Sequence, residues 1–360
     1  MKDYIIYYLS PLTILVSVVG LVLGGGYVWL GLATLPALAL GDAILPRDLR
    51  TRNIKIMWLA YVPVVITSIL AASAYFLLSM RVGEGGLTAF NTIGAVISTG
   101  WTATIVGIPA FHEMFHRRDS FLRNFGLCFQ VFYMDPTRDI AHVVGHHIDV
   151  GTNKDGDTAR RGQSLYAFGV EAMIHSFVTS QRMESDSMER RGFGRWSIRH
   201  RIWKGLAALI VFGVVMFLIG GWQGMAACYV AGILARFLLE AFNYFQHYGQ
   251  VRVEGEPIEK RHVWNHLGAL SRAMTFEITN HADHHLNSYM PYYELKPDVD
   301  AVKLPSVFTC FMAAIIPPVW TKFIIMPALR EWDLNHANDS ERAIAKTQNK
   351  AAGWPDWFAN

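Results

Sequence analysis

YIIYYLSPLTILVSVVGLVLGGGYVWLGLATLPALALG, residues 4–41, carries no charged side chain. A membrane-crossing helix needs roughly 20 apolar residues, so a run of this length holds two, and Gly24-Gly25-Gly26 marks the break between them. Three more uncharged runs follow, 57–80, 87–111 and 205–235, the last broken at Gly220-Gly221. Read as two hairpins and two single helices, they predict six spans. A cleaved signal peptide does not fit the N-terminus, because the apolar run continues past any small-residue cleavage site and only Lys2 supplies a leading charge.

Composition agrees with that reading. The 360 residues are 52% hydrophobic and 17% charged, with mean hydropathy +0.23, too apolar for an ordinary soluble chain of this size. Net charge is +3, which suggests no nucleic-acid partner. The loop LPRDLRTRNIK (45–55) sets Arg47, Arg50, Arg52 and Lys55 against Asp48 alone. By the positive-inside rule this loop is cytoplasmic, and six spans then put both termini and residues 112–204 on the same side. Arg117-Arg118 and Arg190-Arg191 suit anionic lipid headgroups or an acidic protein, or are ordinary topology charges. Cys128, Cys228 and Cys310 are scattered without CxxC spacing, which suggests neither disulfides nor a thiolate metal site.

The expected organisation is therefore an all-α membrane protein of six transmembrane helices with a cytoplasmic helical cap. Residues 1–111 hold spans one to four and 112–204 a polar insertion. Residues 205–243 form a hairpin, and 244–360 a C-terminal polar part. Within the latter, 304–320 is apolar again, but Pro317-Pro318 would break a helix. It reads as a helix packed on the cap or lying at the interface.

Histidines crowd into the expected cap. HEMFH (112–116) places His112 and His116 at i and i+4, one face of a helix. HADHH (281–285) places His281, His284 and His285 on one face likewise. In HVVGHH (142–147), His142 and His146 share a helical face while His147 turns about 100° from His146, so that neighbours can address different ions. His247 follows the last span. Isolated His175, His200 and His336 read as ordinary hydrogen-bonded residues. Imidazole suits zinc, copper, iron and nickel, and nine histidines exceed one tetrahedral site, so the expected centre is a dimetal one. A metal transporter would instead place ionisable groups within the spans.

HEMFHR, HVVGHH, NYFQHYG and HADHH, in that order and spacing, resemble the four histidine motifs of membrane non-haem diiron hydrocarbon hydroxylases. These form a branch of the desaturase–hydroxylase superfamily alongside alkane monooxygenases. YVWLGLAT (27–34), DPTRDIAHV (135–143), DTARRGQSLY (157–166), FNYFQHYG (242–249), EITNHADHH (277–285) and AGWPDW (352–357) give a closer likeness to alkylbenzene methyl hydroxylases of the xylene and p-cymene type. The resemblance implies two iron ions held by His112, His116, His142, His146, His147, His247, His281, His284 and His285. It implies insertion of one atom of O2 into a hydrocarbon C–H bond, giving the primary alcohol of an alkyl-aromatic methyl group. The electrons would come from NADH through a flavin/[2Fe–2S] reductase, or a ferredoxin- or rubredoxin-type donor, at the bacterial inner membrane.

Gln246 stands where the alkane enzymes typically carry a glutamate, which favours the alkyl-aromatic branch over terminal hydroxylation of linear alkanes. The NYFQHYG box argues against a lipid desaturase or a carotenoid-type oxygenase. His262 and His266 are candidate outer or extra ligands. Glu113, Asp139, Asp149, Glu277 and Asp283 are candidates to orient imidazoles, and Glu240, near the end of a span, must be paired or functional. Spans one to four are expected to wall the substrate pocket, with Trp58 and Trp101 as candidate linings.

Overall fold

The computed structural model describes residues 1–359, Val144 by its backbone alone. Among the described residues the chain is helical without strands, its one extended pairing a bridge between Arg47 and Gly268. Five helices are long and apolar enough to cross a membrane: α1 (Lys2–Leu23), α2 (Gly25–Ile44), α3 (Met57–Gly83), α4 (Ala89–Phe115) and, after α5 (Ser120–Cys128) and α6 (Leu165–Arg190), α7 (Arg201–His247). The fifth is folded on itself. Gly220 and Gly221 leave helical geometry (φ −130°, ψ 18° and φ 61°, ψ −164°), and the Tyr229 hydroxyl on the second arm donates to the Leu209 carbonyl on the first.

Gly24, between α1 and α2, adopts φ 70°, ψ −162°, nearly the conformation of Gly221. That region is essentially closed to residues with a Cβ, which is why glycine, rather than any polar residue, ends each uncharged arm. At the second turn the packing is also tight: a Cβ on Gly220 would sit 1.9 Å from the Ser79 carbonyl oxygen of α3.

α3 is the central post. Arg81 reaches across to the Leu21 carbonyl of α1, while the Ser79 hydroxyl donates to the Met216 carbonyl and the Cys228 thiol to that of Tyr75, fastening both arms of α7. α4 is held by Trp101, whose indole N–H donates to Thr34 of α2 at 3.0 Å. The apolar segment expected at 304–320 forms the helix Val307–Ala314, and a new turn starts at Pro317. It packs inward: Phe311 meets Trp101 edge-on at 5.2 Å and Phe245 at 4.8 Å, contacts worth about 0.5–1.5 kcal/mol each beyond burial.

Three of the motifs converge behind the histidines. Buried Arg161 binds Asp333 through two bonds of 2.6 and 2.7 Å, and also Asn349 and the Gly249 carbonyl. Tyr248 accepts from Gly162 N–H, and Trp357 donates to Asp333. The C-terminal tail is thereby tied to the segment carrying His247.

Candidate metal centre

α4 does not end at the membrane run but continues through His112 to Phe115, and α7 ends on His247 itself. Both histidines thus stand on spanning helices rather than beyond them. The others come from the C-cap of α4, which is His116, from the π-helical turn Ile140–His146, from His147 after it, and from the short helix His281–Leu286.

All nine histidines meet, in two groups whose ring nitrogens lie within 4.8 Å of one another. One holds His112, His116, His142, His147 and His284, the other His146, His247, His281 and His285. The groups adjoin, the His147 and His285 rings being 4.5 Å apart between centroids. Two face assignments differ from the α-helical expectation. His142 joins His147 in the larger group, because residues 140–146 wind as a π-helix, where the wider turn aligns i with i+5; it still stacks on His146 at 5.2 Å, and these two with Asp157 form a third, overlapping cluster. His284 parts from His281 and His285, since one six-residue helix wedged between the groups presents an imidazole to each.

The donor set suits metal ions. Both ring nitrogens of His116 and His147, Nε2 of His146 and His284, and Nδ1 of His142, His247 and His285 are buried without a hydrogen-bond partner. Each such group costs about 1–3 kcal/mol if left so. Elsewhere nitrogens face each other: Nε2 of His112 and His142 are 2.8 Å apart, and Nε2 of His247 and His281 2.9 Å. Burial holds His116, His142, His147, His281, His284 and His285 well below the usual histidine range, the neighbouring imidazoles adding to the effect. The neutral ring is the ligating form.

His146 is the exception. Burial pushes its pKa down, but the Asp155 carboxylate, 2.9 Å from Nδ1, outweighs burial and raises it. Asp155 also accepts from the Thr158 hydroxyl and the Asp157 N–H, so its orientation is fixed. Asp157 in turn binds Arg138 at 2.6 Å, and Arg138 reaches Glu240 at 3.3 Å. Asp155 does not stand out in the sequence, its only signal being the acid-containing loop GTNKDGDTARRG (151–162) directly after HVVGHH, whereas Arg138 lies within DPTRDIAHV (135–143), which does not by itself assign it a role.

The acids expected to orient imidazoles do other work. Glu113 accepts from the Tyr61 hydroxyl and pairs with Arg117. Asp139 takes both arms of Arg201. Glu277 is shared by Tyr7, Arg52, Arg272 and Asn280, and Asp283 accepts from the Lys296 N–H. Among the described residues the Asp149 carboxylate has no hydrogen bond to a clustered histidine. Glu240 is paired, as a buried acid there must be, with Arg236, Arg138 and Asn243. His262 uses both nitrogens, on Glu341 and the Glu259 N–H. His266 donates Nδ1–H to the Pro305 carbonyl and stands outside both groups.

A narrow cavity opens onto both groups through His112, His142 and His281. Its far walls are Thr104 and Ile108 of α4, Leu239, Phe242 and Gln246 of α7, and Ile278. The wall therefore comes from α4, the second arm of α7 and the segments carrying Tyr133, Arg138 and Ile278, not from α1 to α3. Trp101 is occupied in packing, and Trp58 is 70% exposed on the outer surface.

Apolar spanning helices that end in clustered imidazoles are the mark of a class, and the comparison agrees: the fatty acid desaturase model matches residues 87–303, so the chain belongs to that family. Within it, the chain is 37% identical to the xylene/toluene monooxygenase hydroxylase component XylM of Pseudomonas putida, over 99% of its own length and 97% of the relative's. It is 30% identical to alkane 1-monooxygenase 1 of Pseudomonas aeruginosa over 81% and 77%, and 31% identical to alkane 1-monooxygenase 2 of Alcanivorax borkumensis over 66% and 64%. The chain is an integral membrane oxidoreductase of the monooxygenase type.

Proposed function

We propose that this chain is the diiron hydroxylase component of a system that converts a methyl group of an alkyl-aromatic hydrocarbon, of the toluene, xylene or p-cymene kind, to the primary alcohol. The observation that carries the reading is the pair of buried imidazole groups, five and four, opening onto one apolar cavity. Bound there, two iron ions would supply the redox chemistry by which one oxygen atom of O2 enters a C–H bond and the other leaves as water, with two electrons and two protons consumed. The nine histidines would hold them. Asp155 fixes the tautomer of His146, keeping the proton on Nδ1 and the Nε2 lone pair free. Phe242, Ile108 and Ile278 give the cavity an apolar face suited to a hydrocarbon.

The glycine turns at Gly24 and at Gly220-Gly221 support six crossings, and the basic loop 45–55 supports a cytoplasmic centre at the bacterial inner membrane. Electrons would then arrive from a separate NADH-linked flavin/[2Fe–2S] reductase or a ferredoxin- or rubredoxin-type donor. Linear alkanes are the second reading, favoured by the alkane monooxygenase relatives. Against it stands Gln246, buried at the cavity with its amide nitrogen unpartnered, where the alkane enzymes typically carry a carboxylate. The test is competition: cells making the chain with a ferredoxin-type reductase receive p-xylene and n-octane together. Methylbenzyl alcohol in excess is the expected result, and 1-octanol in excess moves the enzyme to the alkane branch.

A further inference from the structure

Two grooves meet on the outer surface near the start of α3. The first, about 610 Å³, runs between α3 and α5 and is floored by Tyr61, Val65 and Leu122, with exposed Trp58 at its lip. The second, about 830 Å³, is lined by five arginines: Arg117, Arg118, Arg123, Arg190 and Arg201. Arg117, Arg118 and Tyr289 line both, so the apolar and basic grooves are continuous.

The charges in the basic groove do not cancel. Arg201 is satisfied by Asp139, and Arg117 by Glu113 and the Met290 carbonyl. Glu184 is taken by Arg191 and the Arg201 N–H. Arg118, Arg123 and Arg190 have no carboxylate within salt-bridge distance among the described residues, and Arg118 lies 5.2 Å over the Tyr289 ring. Asp186 is the remaining acid in the basic groove, and Asp119, which lines the apolar one, accepts from the Leu122 N–H. The excess positive charge sits where the apolar face of a membrane helix begins, flanked by an exposed tryptophan of the kind that marks the headgroup level.

We propose that this double groove is a binding site for one anionic phospholipid, its acyl chain lying between α3 and α5 and its phosphate held by Arg118, Arg123 and Arg190. A soluble acidic protein would use the arginines but leave the apolar groove bare. A zwitterionic lipid would fill the apolar groove but leave the charge uncompensated. The occupant would also brace the metal centre from outside, because Arg117 joins the grooves to Glu113, the neighbour of His112 on α4.

The full-length protein is purified in mild detergent and incubated with equimolar dioleoyl-phosphatidylglycerol and dioleoyl-phosphatidylcholine. Lipids retained per chain are counted by native mass spectrometry. The expected result is one phosphatidylglycerol retained at least about tenfold over phosphatidylcholine, and lost in the R118Q/R123Q/R190Q protein. Leu122→Trp, which fills the apolar groove and leaves every arginine in place, is expected to displace the same lipid. Glycerol 3-phosphate, a headgroup without chains, is expected not to compete. Iron content and thermal midpoint of each variant establish that it is folded, and for any variant that fails this check the other decides. Equal retention of the two lipids, or phosphatidylglycerol retention unchanged in a folded variant, would overturn the proposal. Competition by glycerol 3-phosphate would overturn it in favour of an anion site alone.

Discussion

Asp155 has more leverage on the imidazoles than any other acid in the chain, because it alone among the described carboxylates sits within 3.0 Å of a clustered ring. Removing it as Asp155→Ala leaves His146 free to rotate and to take the wrong tautomer. Loss of such a partner typically weakens metal binding by about 10–100-fold. The four-histidine group should therefore lose its ion first, with iron per chain falling toward half while the five-histidine group stays filled. Metal analysis after a graded chelator wash reads this directly, with Asp149→Ala as the matched control. Equal retention in the two variants would remove Asp155 from the role. Which side chains gather is legible in the sequence, since all nine spaced histidines meet. Their partition is not, because His142 changes partner when one turn winds as π rather than α, and nothing in HVVGHH announces that. Nor is Asp155 legible: its reach to His146 depends on a loop closing back, while nearer acids such as Glu113 are drawn into arginine and tyrosine contacts of their own.

Helices are more legible than side-chain partners, since absence of charge sets each apolar run and glycine sets where it turns. Gly24 and Gly221 share a backbone conformation that costs a residue with a Cβ about 1–3 kcal/mol, and Gly26 beside the first turn lacks both the positive φ and any neighbour within 4 Å. Gly24→Ala and Gly221→Ala should each lower the thermal midpoint in detergent, whereas Gly26→Ala should leave it in place. Three equal midpoints would mean that the turns relax freely and that glycine is not what shapes them. The pocket wall shows the limit of reading helices singly. Trp58 and Trp101 look like lining residues by type, yet α4 turns its Thr104–Ile108 side to the cavity, where residues Ala103–Gly107 wind as a π-helix. Which face that irregularity presents depends on the neighbouring arm of α7.

At the scale of the whole molecule, the metal-stripped protein must carry a bundle of buried neutral imidazoles that the unfolded chain does not protect. His116, His142, His147, His281, His284 and His285 are all held below their usual range by burial. Below about pH 6.5 the unfolded chain takes up a proton at each of them that the folded chain refuses. Stability is therefore full above that pH and is lost as pH falls toward the depressed folded values, by at most about 1.4 kcal/mol per pH unit for each histidine. His146 opposes the trend, since Asp155 raises its affinity for a proton, but it is one ring against six. Bound metal adds its own binding free energy to the folded state and exchanges unsatisfied nitrogens for ligand bonds. Removing it should thus lower the thermal midpoint at every pH, by least in acid where protons compete for the rings, while the stripped protein's own midpoint falls as the pH does. Tryptophan-fluorescence melts of loaded and chelator-stripped protein in detergent between pH 8 and 5.5 measure both effects. A stripped protein whose midpoint stays level across that range would mean that water, not closed packing, already surrounds the rings, and the two groups would then have to be read as an open, hydrated site.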